Sequence, residues 1–188
     1  MCDLIDFFNA NPGRRIRSFS ENELSVLWDF KIPVDILEFL QTQGFSTYRD
    51  HFFSTTLPQK HFKLFSEWGL DGKDCFAFFK TALGSLCFYK KGKIFQIDPI
   101  SGSLYKGRFE FCDFMNLLVP MDSFMESCYF DIYQKIPNKK VLAEDEMYAL
   151  TPALPLGGSL ETSRFEVVKF QEHLGFLAQL YNNKIRNS

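Results

Sequence analysis

The side chains best suited to chemistry are few, and their spacing argues against it. His51, His61 and His173 are the only imidazoles in the chain. A helical zinc site needs a second histidine one turn on, as in His-Glu-x-x-His, and none of the three has one. A nucleophilic Ser or Cys needs a histidine base in reach, and no Gly-x-Ser-x-Gly elbow marks such a place. Cys2, Cys75, Cys87, Cys112 and Cys128 are odd in number and widely spaced, with no Cys-x-x-Cys pair. That pattern reads as reduced, mostly buried thiols in a cytoplasm. Gly102 to Arg108 has the outer spacing of a phosphate loop, but Arg108-Phe109 stands where the Lys-Ser/Thr pair belongs. These residues give no positive sign of catalysis, a metal site or a cofactor. Carboxylate pairs stay open, because any two acids can meet in space.

The acidic and basic residues are therefore read as surface. Twenty-one Lys and Arg against 23 Asp and Glu give a net charge of -2, which lacks the basic clustering that non-specific nucleic-acid binding requires. Arg14, Arg15 and Arg17 form a small cluster that reads as a solvated turn. Glu144, Asp145 and Glu146 suit the first turn of a helix, where the partial positive charge favours carboxylates. The apolar run Tyr148 to Leu156 is cut by Pro152 and Pro155, so it reads as an extended or looped insertion, and Gly157-Gly158 turns the chain. From Phe165 to Asn182 the spacing predicts an amphipathic helix, with Val167, Phe170, Leu174, Leu177, Ala178 and Tyr181 on one face.

The elements that must position these residues follow from pattern. At 188 residues the chain suits one substantial domain. Residues 1–18 are expected as a loose N-terminal segment and residues 19–188 as a single α+β domain: a helical half over 19–70, a sheet over 75–107 and a helical C-terminal half over 109–182. Ser20-Glu21-Asn22-Glu23 matches a capping box and starts a helix that should bury Leu24, Leu27 and Trp28. Pro33 opens a second helix, carrying Ile36, Leu37 and Leu40, and Gly44 stops it. Phe45 to Thr56 reads as irregular. Pro58 starts a helix with Phe62, Phe65 and Trp68 inward, ended by Gly69. Strands are expected at Cys75–Lys80, Ser85–Lys90, Lys93–Asp98 and Ser103–Lys106, with Lys90-Lys91-Gly92-Lys93 as a tight hairpin. Helices over Phe109–Leu118 and Ser123–Ile136 follow. The expected fold is thus α+β, a central antiparallel β-meander packed against N-terminal and C-terminal helices. No stretch of 18 apolar residues suggests a membrane span, and the basic residues near the N-terminus follow the apolar ones, the wrong order for a signal peptide.

Several blocks carry a family resemblance. Leu142 to Gly158 (L-A-E-D-E-M-Y-A-L-T-P-A-L-P-L-G-G) and Val167 to Leu180 (V-V-K-F-Q-E-H-L-G-F-L-A-Q-L) resemble the C-terminal half of the GAD-like family, which includes immunity proteins that neutralise DNase toxins of the type VI secretion system. Thr81 to Leu86, Ile94 to Gly102 and Ile32 to Phe45 extend the resemblance upstream. Ser85 departs from it, standing where an acidic residue is common, and Pro155 interrupts a run that is usually A-L-A-L-G-G.

The resemblance implies a cytoplasmic, non-enzymatic protein that binds and occludes a cognate nuclease (DNase-type) toxin, with no cofactor, no metal and no direct contact to nucleic acid or membrane. It does not mark contact residues. By type, the candidates for toxin binding are Glu144, Asp145 and Glu146, with Glu126, Asp131 and Tyr129 on the Ser123 to Ile136 segment, since nuclease sites attract anionic groups and aromatic anchors carry interfaces. Two other readings stay open. One is a ligand- or protein-binding module outside toxin defence; an RNA-facing version would want a basic surface that the charge balance does not supply. The other is a small enzyme with an unrecognised site.

Overall fold

Seven strands form one antiparallel sheet whose spatial order repeats chain order. They are β1 (Gly13–Arg17), β2 (Phe45–Tyr48), β3 (Phe53–Thr55), β4 (Phe76–Thr81), β5 (Leu86–Lys90), β6 (Lys93–Asp98) and β7 (Ser103–Lys106). A separate hairpin pairs β8 (Glu146–Leu150) with β9 (Phe165–Lys169), Glu146 opposite Lys169 and Leu150 opposite Phe165. This computed structural model of the chain describes residues 2–187, leaving aside the side chains of residue 73 and of residues 183–187. Met1 and Ser188, the outer ends of the spans drawn from the sequence, lie outside the described residues.

Helices cover both faces of the sheet, giving the α+β class. α1 (Ile5–Ala10), α2 (Glu21–Trp28) and α3 (Val34–Gln43) come before β2, α4 (Phe62–Glu67) before β4, and α5 (Phe111–Asp113) continues as a wider π turn over Phe114–Leu118. Then come α6 (Asp122–Ser127), α7 (Phe130–Lys135) and α8 (Phe170–Asn187). One face of the sheet packs with α1, α3 and the α5 to α7 segment around Phe7, Phe39, Phe53, Phe79, Phe114 and Phe124. The other packs with α4 and α8 around Leu64, Phe65, Phe88, Phe170 and Leu174. Strand alternation sorts them: Leu86 and Phe88 face one core and Cys87 the other. On β4 the register shifts between Ala77 and Phe79. That one-residue bulge lets Phe78 and Phe79 both enter the larger core. Most of the phenylalanines of this unusually Phe-rich chain are absorbed there.

The capping box at Ser20 forms as expected: its hydroxyl accepts from Glu23 N, and the Glu23 carboxylate accepts from Ser20 N at 2.8 Å. Gly44 ends α3 with φ +60° in a position where an added Cβ would fall 2.3 Å from the Arg17 carbonyl oxygen, so only glycine fits. Six expectations are corrected. The first 18 residues are not loose, because residues 5–10 are helical, residues 13–17 pair with β2, and Phe7 is fully buried. Phe45 to Thr56 is not irregular but holds β2 and β3, so the sheet reaches well into the supposed helical half. Phe165 to Lys169 is a strand, consistent with its β-branched valines, and the helix starts only at Phe170. Ser123 to Ile136 breaks at Tyr129, which adopts φ +61° and splits it into α6 and α7. Trp28 points outward, 68% exposed.

The sixth correction concerns the cysteines. Cys2 and Cys112 are joined by a disulfide across 110 residues, while Cys75, Cys87 and Cys128 are free and buried. The reason is spatial: the N-terminal segment lies along the α5 region, which brings the two Cα atoms to 5.8 Å, within bridging range. Asn116 reinforces the contact, accepting from Phe7 N at 3.2 Å and donating to the Asp3 carbonyl at 2.6 Å.

Candidate functional site

Glu144, Asp145 and Glu146 do not start a helix. Glu144 and Asp145 occupy the turn leading into β8, and Glu146 is the first residue of that strand, opposite Lys169 of β9. Each carboxylate there already has a cation. Arg17 donates to Glu144 Oε2 at 2.7 Å and to both Glu23 oxygens at 2.8 and 2.9 Å, and Lys60 Nζ reaches Glu144 Oε1 at 2.5 Å. The Arg17 hydrogen bond holds Glu23 down to about 2 despite some burial, and Glu23 in turn raises the Arg17 guanidinium. Asp145 accepts from Lys169 Nζ at 2.6 Å, which lowers the acid. Glu146 caps the turn by accepting from Ala143 N at 2.9 Å and lies 3.7 Å from Lys140 Nζ. The loop is thus neutralised by residues from four other segments.

Beneath it sits a buried polar chain that sequence reasoning missed. Lys80, on β4, is 3% exposed; its ammonium donates to the Glu146 carbonyl at 2.9 Å and lies 4.7 Å from the centre of the Phe170 ring. Burial pulls its pKa down to about 8, with the acids of the 144–146 loop acting in the opposite sense. His61, 2% exposed, meets Thr56 Oγ1 at 2.7 Å through Nε2 and Gln171 Nε2 at 2.6 Å through Nδ1. Burial, then Lys80 and Lys60, hold its pKa at about 3, so the ring is neutral. The signal available was a lysine ending the otherwise apolar run Cys75 to Phe79, which a solvated strand end also produces.

The other three candidates lie apart, with no hydrogen bond or ion pair to the first three among the described residues. Glu126 is exposed on α6, and Asp131 is exposed on α7 at 3.8 Å from Lys135. Tyr129 is half-buried between the two helices, and its hydroxyl donates to Asp98 Oδ2 at 3.1 Å. Burial raises that hydroxyl's pKa, and Asp98 adds to the effect. Asp98 also accepts from Ile100 N at 2.9 Å and Ser101 Oγ at 2.6 Å, building the Asp-Pro turn between β6 and β7. Tyr181 of α8 closes the turn from the far side, donating to the Ile100 carbonyl at 2.6 Å. Among the described residues no three His, Cys, Asp or Glu side chains gather as a metal cluster.

These features define an α+β protein whose seven-stranded meander is covered on both faces and whose acidic loop is held by its own cations. The same fold occurs in the crystal structure of Atu4351 from Agrobacterium tumefaciens, which is 14% identical, matches over 93% of this chain and 87% of that one, and superposes with a TM-score of 0.71. At that identity the likeness is one of fold. None of the curated proteins matches the chain. Residues 109–181 match the family model described as "T6SS immunity protein Tdi1, C-terminal". That span contains Leu142 to Gly158 and Val167 to Leu180, two of the blocks that carry the resemblance to the GAD-like family.

Proposed function

We propose that this chain is an immunity protein of the GAD-like kind, which binds a cognate secreted nuclease toxin of DNase type in the bacterial cytoplasm and occludes it. The observation that carries the reading is the match of residues 109–181 to the immunity family model. Inhibition is by surface complementarity rather than chemistry. In support, His61 and its Thr56 partner are buried with both ring nitrogens engaged, a setting that closes them to a substrate. Among the six acidic and aromatic candidates, Glu126, Asp131 and Asp145 have exposed carboxylates, the last two beside the exposed Lys135 and Lys169, whereas Glu144 is enclosed by Arg17 and Lys60. The first set suits contact with a phosphate-attracting nuclease site, and the second is a structural tie. No helix among the described residues is long and apolar enough to cross a membrane.

The test is co-expression with the nuclease toxin encoded beside this gene, scored for survival and for a complex on a sizing column. Survival with a co-eluting complex is expected. Death of the host, or rescue without a complex, overturns occlusion and turns attention to a binding module outside toxin defence.

A further inference from the structure

The sheet ends at β7, whose outer edge no strand pairs with among the described residues. The phase of its ladder shows which groups face out. Gly107 N donates to the Ile94 carbonyl at 2.9 Å. Antiparallel pairs alternate between hydrogen-bonded and non-hydrogen-bonded. Stepping back along the register, the Tyr105–Gln96 pair is bonded, while Lys106–Phe95 and Leu104–Ile97 are not. Leu104 and Lys106 therefore direct their N–H and C=O groups away from β6, into solvent.

Behind this edge opens a mostly apolar cleft of about 260 Å³. Ile94, Gln96 and Tyr105 wall it on the sheet side, and Phe114, Leu118 and Phe124 on the helix side. Tyr105 stands at its mouth, 51% exposed, with Leu104 next to it at 44%. Lys106 of β7 lines the cleft, and further cations lie along the same strand edge. Lys91 in the β5–β6 turn, Lys106 on β7 and Arg108 just beyond it take part in no ion pair among the described residues, and Lys93 shares only Glu110 at 3.5 Å.

These three features select one kind of occupant. Lysines on an edge strand discourage pairing with a second copy, because like charges are brought together. The same lysines favour a strand that carries acids, and the cleft accepts an apolar side chain from alternate positions of that strand. From this we infer that the β7 edge is a docking surface for an extended acidic segment of a partner protein, added as an eighth strand with an apolar anchor in the cleft. The inference rests on the immunity reading for the partner's identity, the toxin.

The test measures affinity of the chain for a catalytically inactive form of the toxin encoded beside its gene, by calorimetry at low and high salt, with melting recorded for every variant. Lys106→Glu with Arg108→Glu reverses the charge along this edge, and Leu104→Pro removes an outward N–H while sparing the ladder to β6. The charge reversal should weaken binding at least tenfold at low salt, and the proline should do likewise, both with unchanged melting. If the parent binds and both variants bind equally well, the edge site is overturned and the immunity reading stands. If the parent itself does not bind, both fall. If the parent sediments as a dimer that the charge reversal disperses, the occupant is a second copy and the acidic-segment assignment is overturned.

Discussion

The two outer strands of the sheet, whose far edges pair with no strand among the described residues, carry the same sign of charge and are finished in opposite ways. β1 bears Arg14, Arg15 and Arg17, and β7 ends in Lys106 with Arg108 just beyond it. Yet β1 has a register shift between Arg15 and Arg17, which twists it away from a straight template. It is also tied down: Arg15 donates to the Thr42 carbonyl at 3.3 Å, and Arg17 is clamped by Glu23 and Glu144. Gly13 lets β1 lie so close to Tyr48 that an added Cβ would fall 2.1 Å from that ring. The preceding helix plugs Phe7 among Phe39, Tyr48 and Phe79. At β7 the register is regular, Lys106 and Arg108 take part in no ion pair among the described residues, and a cleft stands behind the strand. Charge alone therefore does not tell a protected edge from a receptive one; the bulge and the internal ties do.

The largest expected effect tests the plug at β1. Phe7→Ala should cost about 3–5 kcal/mol in urea unfolding, because a fully buried ring leaves a cavity among three aromatic neighbours. An unchanged unfolding midpoint would mean that the N-terminal segment does not seal that edge. Next, Glu144→Ala releases Arg17 and Lys60. Those two cations are 39% and 41% exposed, so solvent screening limits the loss to about 1 kcal/mol.

The same clamp sets an acid limb. The folded pKa of Glu23 is depressed from 4.5 to about 2, so its contribution is complete above 4.5 and is lost as pH falls toward 2. His61 acts in the same direction at higher pH. Its folded pKa of about 3 lies below the ordinary 6.5, so the unfolded chain takes up the proton first and stability declines as pH drops from 6.5 toward 3. Glu23→Gln should flatten only the part of a urea-midpoint profile below pH 4.5; a profile identical to the parent's would break the clamp argument. The smallest effect belongs to β7: Tyr105→Ser should shift stability by no more than about 0.5 kcal/mol, since its side chain is half exposed. A large loss of stability would show that edge to be part of the core.

The regular part of the sheet was readable from residues because its signals are local. β6 and β7 fall where alternation and the Lys-Lys-Gly-Lys and Asp-Pro turns put them, and the Ser20 capping box needs only four residues. β2 and β3 are hard to read because their turn runs through Arg49, Asp50 and His51, all at positive φ, with Asp50 the single turn-favouring residue among them. β9 was missed because Val167 happens to share a helical face with Phe170. The candidate site was least legible. The partners of Glu144 lie 127 and 84 residues away, so an acidic run gave no hint that its charges were already taken. The break at Tyr129 separates Glu126 from Asp131 through a backbone twist that no residue type announces.

The order of the sheet bears on how the chain is made. Every one of the six ladders joins a strand to the one synthesised just before it. Such a meander closes only short loops at most steps, so it can zip up from the N-terminus while the ribosome is still working. Residues 109–181, the part that matches the immunity family model, are synthesised only after β7, and they supply Cys112, Asn116 and Glu144, which tie down the N-terminal segment and β1. The nascent chain thus grows by offering one fresh edge at a time, and β7 is the edge at which growth stops.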